Sequence, residues 1–218
     1  MLAYHLEIYL HDLMYYASRE LGRMYISERY IHNYALTYAL GLAHSSYHDQ
    51  VQVPKYQEEL EGLNEAGIYV TPAKPVNITT STHTFKFADT RYQVKMEQSS
   101  VNIPTFGRIR EINPESQYEA FVFSSTQLEL PKWIRLGKWM SKSEVKTKAV
   151  DITEGNKPFT THHPLNGLDL PIQAQLYDLI NMPPVSLVDN ARFEGEFYSL
   201  NLGDKESKVF PKGLRYIF

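Results

Sequence analysis

The stretch that decides the fold is Met1 to Leu42, MLAYHLEIYLHDLMYYASRELGRMYISERYIHNYALTYALGL. Its opening alternates. Leu2, Tyr4, Leu6, Ile8 and Leu10 share one face, and Ala3, His5, Glu7, Tyr9 and His11 share the other. That two-residue period predicts a half-buried β-strand. From Ser27 the period lengthens. Ile31, Tyr34, Ala35, Tyr38, Ala39 and Leu42 follow i, i+3, i+4, i+7 spacing, which predicts an amphipathic helix. Ser27 is its expected N-cap and Gly41 its expected end. Between strand and helix, SRELGRMY sets Arg19 and Arg23 around a glycine. Strand, basic connection and helix make the first half of a β-α-β unit.

Composition bounds the rest. A chain of 218 residues is long enough for one sizeable domain. A formal charge of −3 excludes a protein that is basic overall but leaves room for a local basic groove. The absence of cysteine removes disulfides, thiolate metal sites and cysteine nucleophiles together, and fits a reducing compartment. No apolar run approaches a membrane span. Glu7, His11 and Asp12 interrupt any signal-like apolar core, so a cytoplasmic location is expected. Tyrosine is abundant, 16 residues beside 10 Phe and 2 Trp. Its flat apolar face and polar tip suit wet interfaces and base stacking as well as core edges.

Further along, residues 54–67 predict a short acidic helix closed by Gly67. Strands are expected at 67–76, 77–87, 91–97 and 118–123, with a protruding hairpin within 98–118. In that hairpin Arg108 and Arg110 alternate with Ile109 and so share a face if extended. Residues 171–180, PIQAQLYDLI, suggest a short helix stopped by Pro183 and Pro184. Strand-like pieces end the chain, with Gly203 and Asp204 placed to turn the last pair. One α+β domain with many strands and two or three helices follows.

Motifs for chemistry are few. His44 and His48 have helical zinc-pair spacing with Asp49 beside them, but no glutamate lies between and no third ligand stands near. His162 and His163 sit before a proline, in turn-forming sequence. No phosphate-binding glycine loop or serine nucleophile motif occurs. No cofactor or metal is expected. The strongest signal is charge: in residues 131–148, Lys132, Arg135, Lys138, Lys142, Lys146 and Lys148 face only Glu144, with Trp133 and Trp139 among them. Such a run is either a solvated face with both tryptophans buried or a groove where cations meet phosphates and rings stack bases. The clustering around two tryptophans in an acidic chain favours the groove. Arg19 and Arg23 pose the same choice, between local carbonyls and phosphates.

Residues 17–42, 106–115 (FGRIREINPE) and 130–142 (LPKWIRLGKWMSK) together resemble the Csc-one family, the Cas-five-type subunit of type I-D CRISPR Cascade surveillance complexes. The resemblance implies a ferredoxin-like (RRM/RAMP-type) antiparallel sheet with helices on one face and a β-hairpin extension, in a single domain over 1–218. It implies a non-catalytic subunit that grips the 5′ handle of crRNA, caps the filament of Cascade backbone subunits and contacts the large subunit near the protospacer-adjacent motif of target DNA. The glycine-rich loop that many RAMP proteins carry near the C-terminus has only Gly203 and Gly213 as counterparts here. On this view Arg19, Arg23, Arg108, Arg110, Lys132, Arg135, Lys138 and Lys142 hold the RNA backbone, and Tyr34, Trp133 or Trp139 stacks splayed bases. A metal-independent endoribonuclease acting on CRISPR repeat RNA, through a histidine and a cation, is the alternative. A protein-only scaffold is the third possibility.

Overall fold

The structure, a computed structural model, describes residues 1–45, 54–87, 105–203 and 207–218. The chain runs β1 (Leu2–Leu10), β2 (Arg19–Leu21), β3 (Met24–Ile26), α1 (Asn33–Ala39), α2 (Tyr56–Glu65), β4 (Ile68–Val70), β5 (Lys74–Asn77) and β6 (Thr80–Phe87). It resumes with β7 (Thr105–Ile112), β8 (Gln117–Ser124), β9 (Trp133–Leu136), β10 (Ser141–Thr161), β11 (Leu165–Asn166), β12 (Leu176–Ile180), β13 (Leu187–Asn201) and β14 (Lys208–Pro211). The result is a mostly antiparallel β architecture with few helices.

β1 is central, paired antiparallel with β10 on one side and β8 on the other. Its even-numbered face packs Leu6, Ile8 and Leu10 against Leu36 of α1, against Leu40 at the end of that helix and against Ile134, Leu136 and Val145. The odd-numbered face is covered only in part. There Phe121 and Phe123 of β8 meet Phe210 and Tyr198, so β13 and β14 fold over one end of the sheet. β4 is also antiparallel to β8, which makes β1 and β4 parallel neighbours of one strand, with both helices in the connection. Between β8 and β10 the chain inserts β9, not a helix.

β10 joins the two halves. Its residues 143–150 pair with β1, and 151–161 pair with β13. Gly155 lies in the second half opposite Phe197, whose ring tip would stand 2.3 Å from any Cβ there. A smaller four-stranded sheet, order β2-β3-β7-β6, stands apart from this one; its β3–β7 pair is parallel, with Met24 opposite Arg108 and Ile26 opposite Arg110.

Three expectations are corrected. The connection at 17–26 is a hairpin, turning at Gly22 with φ +61°. The N-cap of α1 is His32, whose Nδ1 accepts the Tyr34 N–H, while the Ser27 hydroxyl oxygen accepts the Tyr16 N–H. Gly41 does follow the helix in the left-handed region, φ +72°. Residues 176–180 form a strand, not part of a helix: β13 supplies their hydrogen bonds, and Leu176 and Leu179 are exposed, so no buried apolar stripe exists to hold a helix down. The strand expected at 91–97 and residues 98–104 of the expected hairpin lie outside the described residues. Thr105–Ile112 pairs with Thr80–Phe87, and Gln117 and Tyr118 belong to the larger sheet.

A buried polar cluster ties α1, β4 and the C-terminal tail together. One Asp169 oxygen accepts from Asn33 Nδ2 at 2.8 Å and from the Tyr69 hydroxyl at 2.9 Å; the other accepts the Ile217 N–H at 3.0 Å. Burial pushes the Asp169 carboxyl up to about 6, although these hydrogen bonds pull the other way. A raised carboxyl stabilises the fold fully below its unfolded value of 3.8, and that stabilisation is lost as pH rises through about 6. Denaturant unfolding from pH 4 to pH 7 should therefore show the wild type losing stability relative to D169N. An unchanging difference would contradict this account of Asp169.

Candidate nucleic-acid interface

β9 and the start of β10 form a hairpin in strict alternation. Ile134, Leu136, Ser141 and Ser143 point inward and are buried, so Trp133, Arg135, Lys142 and Glu144 must point out. Cross-strand register sets Arg135 opposite Lys142 and Trp133 opposite Glu144. Trp133 is 47% exposed, with the Lys142 ammonium 4.1 Å from its ring centroid and His11 edge-on at 5.1 Å. A cation over an indole is attracted by its π face. Among the described residues no carboxylate pairs with Lys132, Arg135, Lys138 or Lys142.

The turn is built to hold these groups. Gly137 and Met140 both have positive φ, +72° and +54°. Arg135 Nη1 donates to the Met140 carbonyl at 3.0 Å, and the Lys138 N–H donates to the Tyr15 carbonyl at 2.7 Å. Trp139, 44% exposed, leans on Tyr15 and Phe85. Neither tryptophan is buried.

The structure groups the remaining sequence-predicted residues differently. Arg108 and Arg110 share one face of the small sheet with Thr84, Thr82, Met24 and Ile26, as their alternation requires, and Arg19 joins them opposite Ile26. Arg23 sits at the β2–β3 turn, exposed. Phe85 belongs to the opposite face, so Trp139 touches the side turned away from these arginines. Arg19 is ion-paired with Glu28, and Arg110 Nε is buried without a partner among the described residues. Tyr34 is 3% exposed: its ring packs against Tyr56, His32 and Tyr216, and its hydroxyl donates to the Ile217 carbonyl at 3.0 Å. That ring has no open face for a base.

Sheet register adds Tyr9 and His11, which the linear sequence did not assign to the interface, and joins them to Lys146 of the charge run. Tyr9 pairs with Glu144 and Glu7 with Lys146, and the Lys146 ammonium lies 4.5 Å from the Tyr9 ring centroid. Tyr9, His11 and Lys146 therefore continue the surface of Trp133 and Lys142. The signal was the odd-numbered face of β1; its register against β10, some 135 residues away, was missing. Further along that face His5 and Lys208 bracket Glu119, at 3.1 and 3.0 Å. Burial raises this carboxyl, but the His5 and Lys208 hydrogen bonds and the Lys208 charge prevail and hold it at about 2.

The other histidine candidates show no metal chemistry. Among the described residues no group of three or more histidine, aspartate or glutamate side chains is placed to hold a metal ion. His48 lies outside those residues. His162 bonds Asn190, and buried His163 donates from Nε2 to the Pro72 carbonyl at 2.9 Å, with burial lowering it to about 3. Among the described residues no helix is long and apolar enough to cross a membrane.

With this geometry in hand, the comparisons decide the lineage. The family described as type I-D CRISPR-associated protein Cas5/Csc1 matches residues 1–218. The chain belongs to that family. No curated protein matches it significantly. A solved structure, the crystal structure of a CRISPR protein from Archaeoglobus fulgidus, covers all of both chains at 14% identity with a TM-score of 0.42.

Because Gly137 lies in the left-handed region and a Cβ there would lie 2.6 Å from the Tyr15 carbonyl oxygen, G137A should disrupt this Cas5/Csc1 hairpin. We expect about 1–3 kcal/mol of lost stability in thermal unfolding, against little change for G107A, where a Cβ meets nothing within 4 Å. Equal melting of the two variants would remove Gly137 from its positioning role.

Proposed function

We propose that this chain is a non-catalytic RNA-binding and assembly subunit of a type I-D Cascade complex. It grips the 5′ handle of crRNA on the β9–β10 hairpin and the adjoining face of β1, caps the backbone filament and contacts the large subunit near the target's protospacer-adjacent motif. One observation carries the RNA reading: half-exposed Trp133 lies beneath the Lys142 ammonium, next to Arg135, and among the described residues no carboxylate forms an ion pair with either side chain, Asp12 bonding only the Lys142 N–H. Unpaired cations beside an exposed ring are what a phosphate and a splayed base require. The proposal extends to architecture. The strand order β10-β1-β8-β4, with the helices joining β1 to β4, supports a ferredoxin-like RAMP domain over 1–218 in which β9 replaces the second helix. The antiparallel β6–β7 pair supports a hairpin extension with arms at Thr80–Phe87 and Thr105–Ile112.

Single-strand binding weakens with salt at a log–log slope of roughly −0.7 per phosphate neutralised. Replacing Lys138 and Lys142 by glutamine should flatten the slope for single-stranded handle RNA by up to about 1.4. If the double variant keeps the wild-type slope, the hairpin does not hold the RNA backbone.

A second reading has one observation of its own. His11 sits beside Trp133, with its Nε2 3.8 Å from Glu144 Oε2, so a histidine and a lysine share the interface. That pairing could serve metal-independent RNA cleavage. We expect intact repeat RNA after incubation with the pure protein in chelator. Cleavage that H11A abolishes would replace the binding role with a catalytic one.

A further inference from the structure

We propose that Lys142 occupies, in the free protein, the place of a nucleobase, and that a single extruded nucleotide displaces it from Trp133. This rests on the RNA-binding reading and specifies what the hairpin takes. Where edge strand β9 meets the last turn of α1, a recess of about 390 Å³ opens, walled by Tyr38, Ala39, Trp133, Arg135, Met140 and Lys142. One side is aromatic and apolar; the other carries two cations without carboxylate partners. That is the composition of one nucleotide, a flat apolar base joined to an anion.

The Lys142 ammonium now rests over the indole, 4.1 Å from its centroid. An exposed cation–π contact is weaker than a charge-assisted bond to phosphate. A phosphate seated between Arg135 and Lys142 therefore draws the ammonium off the ring. What it uncovers is the face of Trp133 on which a base stacks. Arg135 lines the recess and is held there by the bond from Nη1 to the Met140 carbonyl. Phosphate capture and base stacking thus occur together, and neither alone fills the site.

The experiment uses the full chain carrying W139F, which leaves Trp133 as the one tryptophan of the two. Its fluorescence is titrated with nucleoside monophosphates, ribose 5-phosphate and inorganic phosphate. Stacking predicts saturable quenching by the nucleotides, with ribose 5-phosphate competing but not quenching. A39F, which fills the recess and leaves both cations, should weaken nucleotide binding at least about tenfold, within what one stacked base contributes. Equal quenching by ribose 5-phosphate, no quenching at all, or unchanged affinity in A39F would overturn the proposal. Circular dichroism of A39F checks that its fold is intact, and K142Q, which removes the resident cation, supplies a second test: it should lose phosphate competition but keep base quenching. A chain that binds single-stranded RNA with the expected salt slope yet shows no quenching keeps its function and loses this site. One that binds nucleotides but not RNA does the reverse.

Discussion

The architecture depends on one strand serving both halves of the larger sheet. β10 is 21 residues long, and its halves have different neighbours: β1 for the first, β13 for the second. To do so it must bring β13 and β14 back over the aromatic face of β8. Gly155 permits that approach, since the Phe197 ring lies where any larger side chain would begin. A residue with a Cβ would meet the ring at a distance no packed pair adopts, and overpacking of that kind costs about 1–3 kcal/mol. The same strand begins in the β9–β10 hairpin. The closure of the core and the orientation of the basic surface are therefore set by a single piece of backbone.

The candidate interface lies where that closure stops. β13 and β14 cover Ala3, His5 and Phe121 but leave Glu7, Tyr9 and His11 at least partly open, beside Trp133, Lys142 and Lys146. The odd-numbered face of β1 thus changes character along its length, from core to surface. An acidic chain can still present cations beside exposed rings because several of its carboxylates are engaged elsewhere, Glu119 with His5 and Lys208, Glu154 with Lys212 and Glu28 with Arg19, while Glu144 on the patch itself faces His11. Net charge does not report such a patch; the local distribution of charge does.

Local patterns were legible in the sequence; pairings between distant segments were not. The alternation of β1, the left-handed Gly41, the shared face of Arg108 and Arg110 and the charge run around Trp133 each follow from a few neighbouring residues. The N-cap was misplaced because serine is a common cap and histidine is not; only the fold reveals that His32 can also donate from Nε2 to the Val185 carbonyl. The segment 176–180 was read as helical because its apolar spacing fits both periods, and the β13 edge that settles the matter comes later in the chain. Tyr9 and His11 likewise join Lys146 of the charge run only through the β1–β10 register, which no local pattern carries. Tyr34 was assigned to RNA as a tyrosine on an amphipathic stripe, whereas the C-terminal tail returns to bury it.

The placement of β1 also constrains how the chain is made. β1 is synthesised more than a hundred residues before its hydrogen-bonding partners, residues 117–124 and 143–150. At about 5–20 residues per second, translation leaves this strand with both edges open for on the order of ten seconds. Throughout that interval Leu6, Ile8 and Leu10 have no sheet to enter, and an unpaired apolar strand is a template for aggregation. The topology thus keeps an apolar strand waiting for partners during synthesis, and faster completion of β8 and β10 would shorten that exposure.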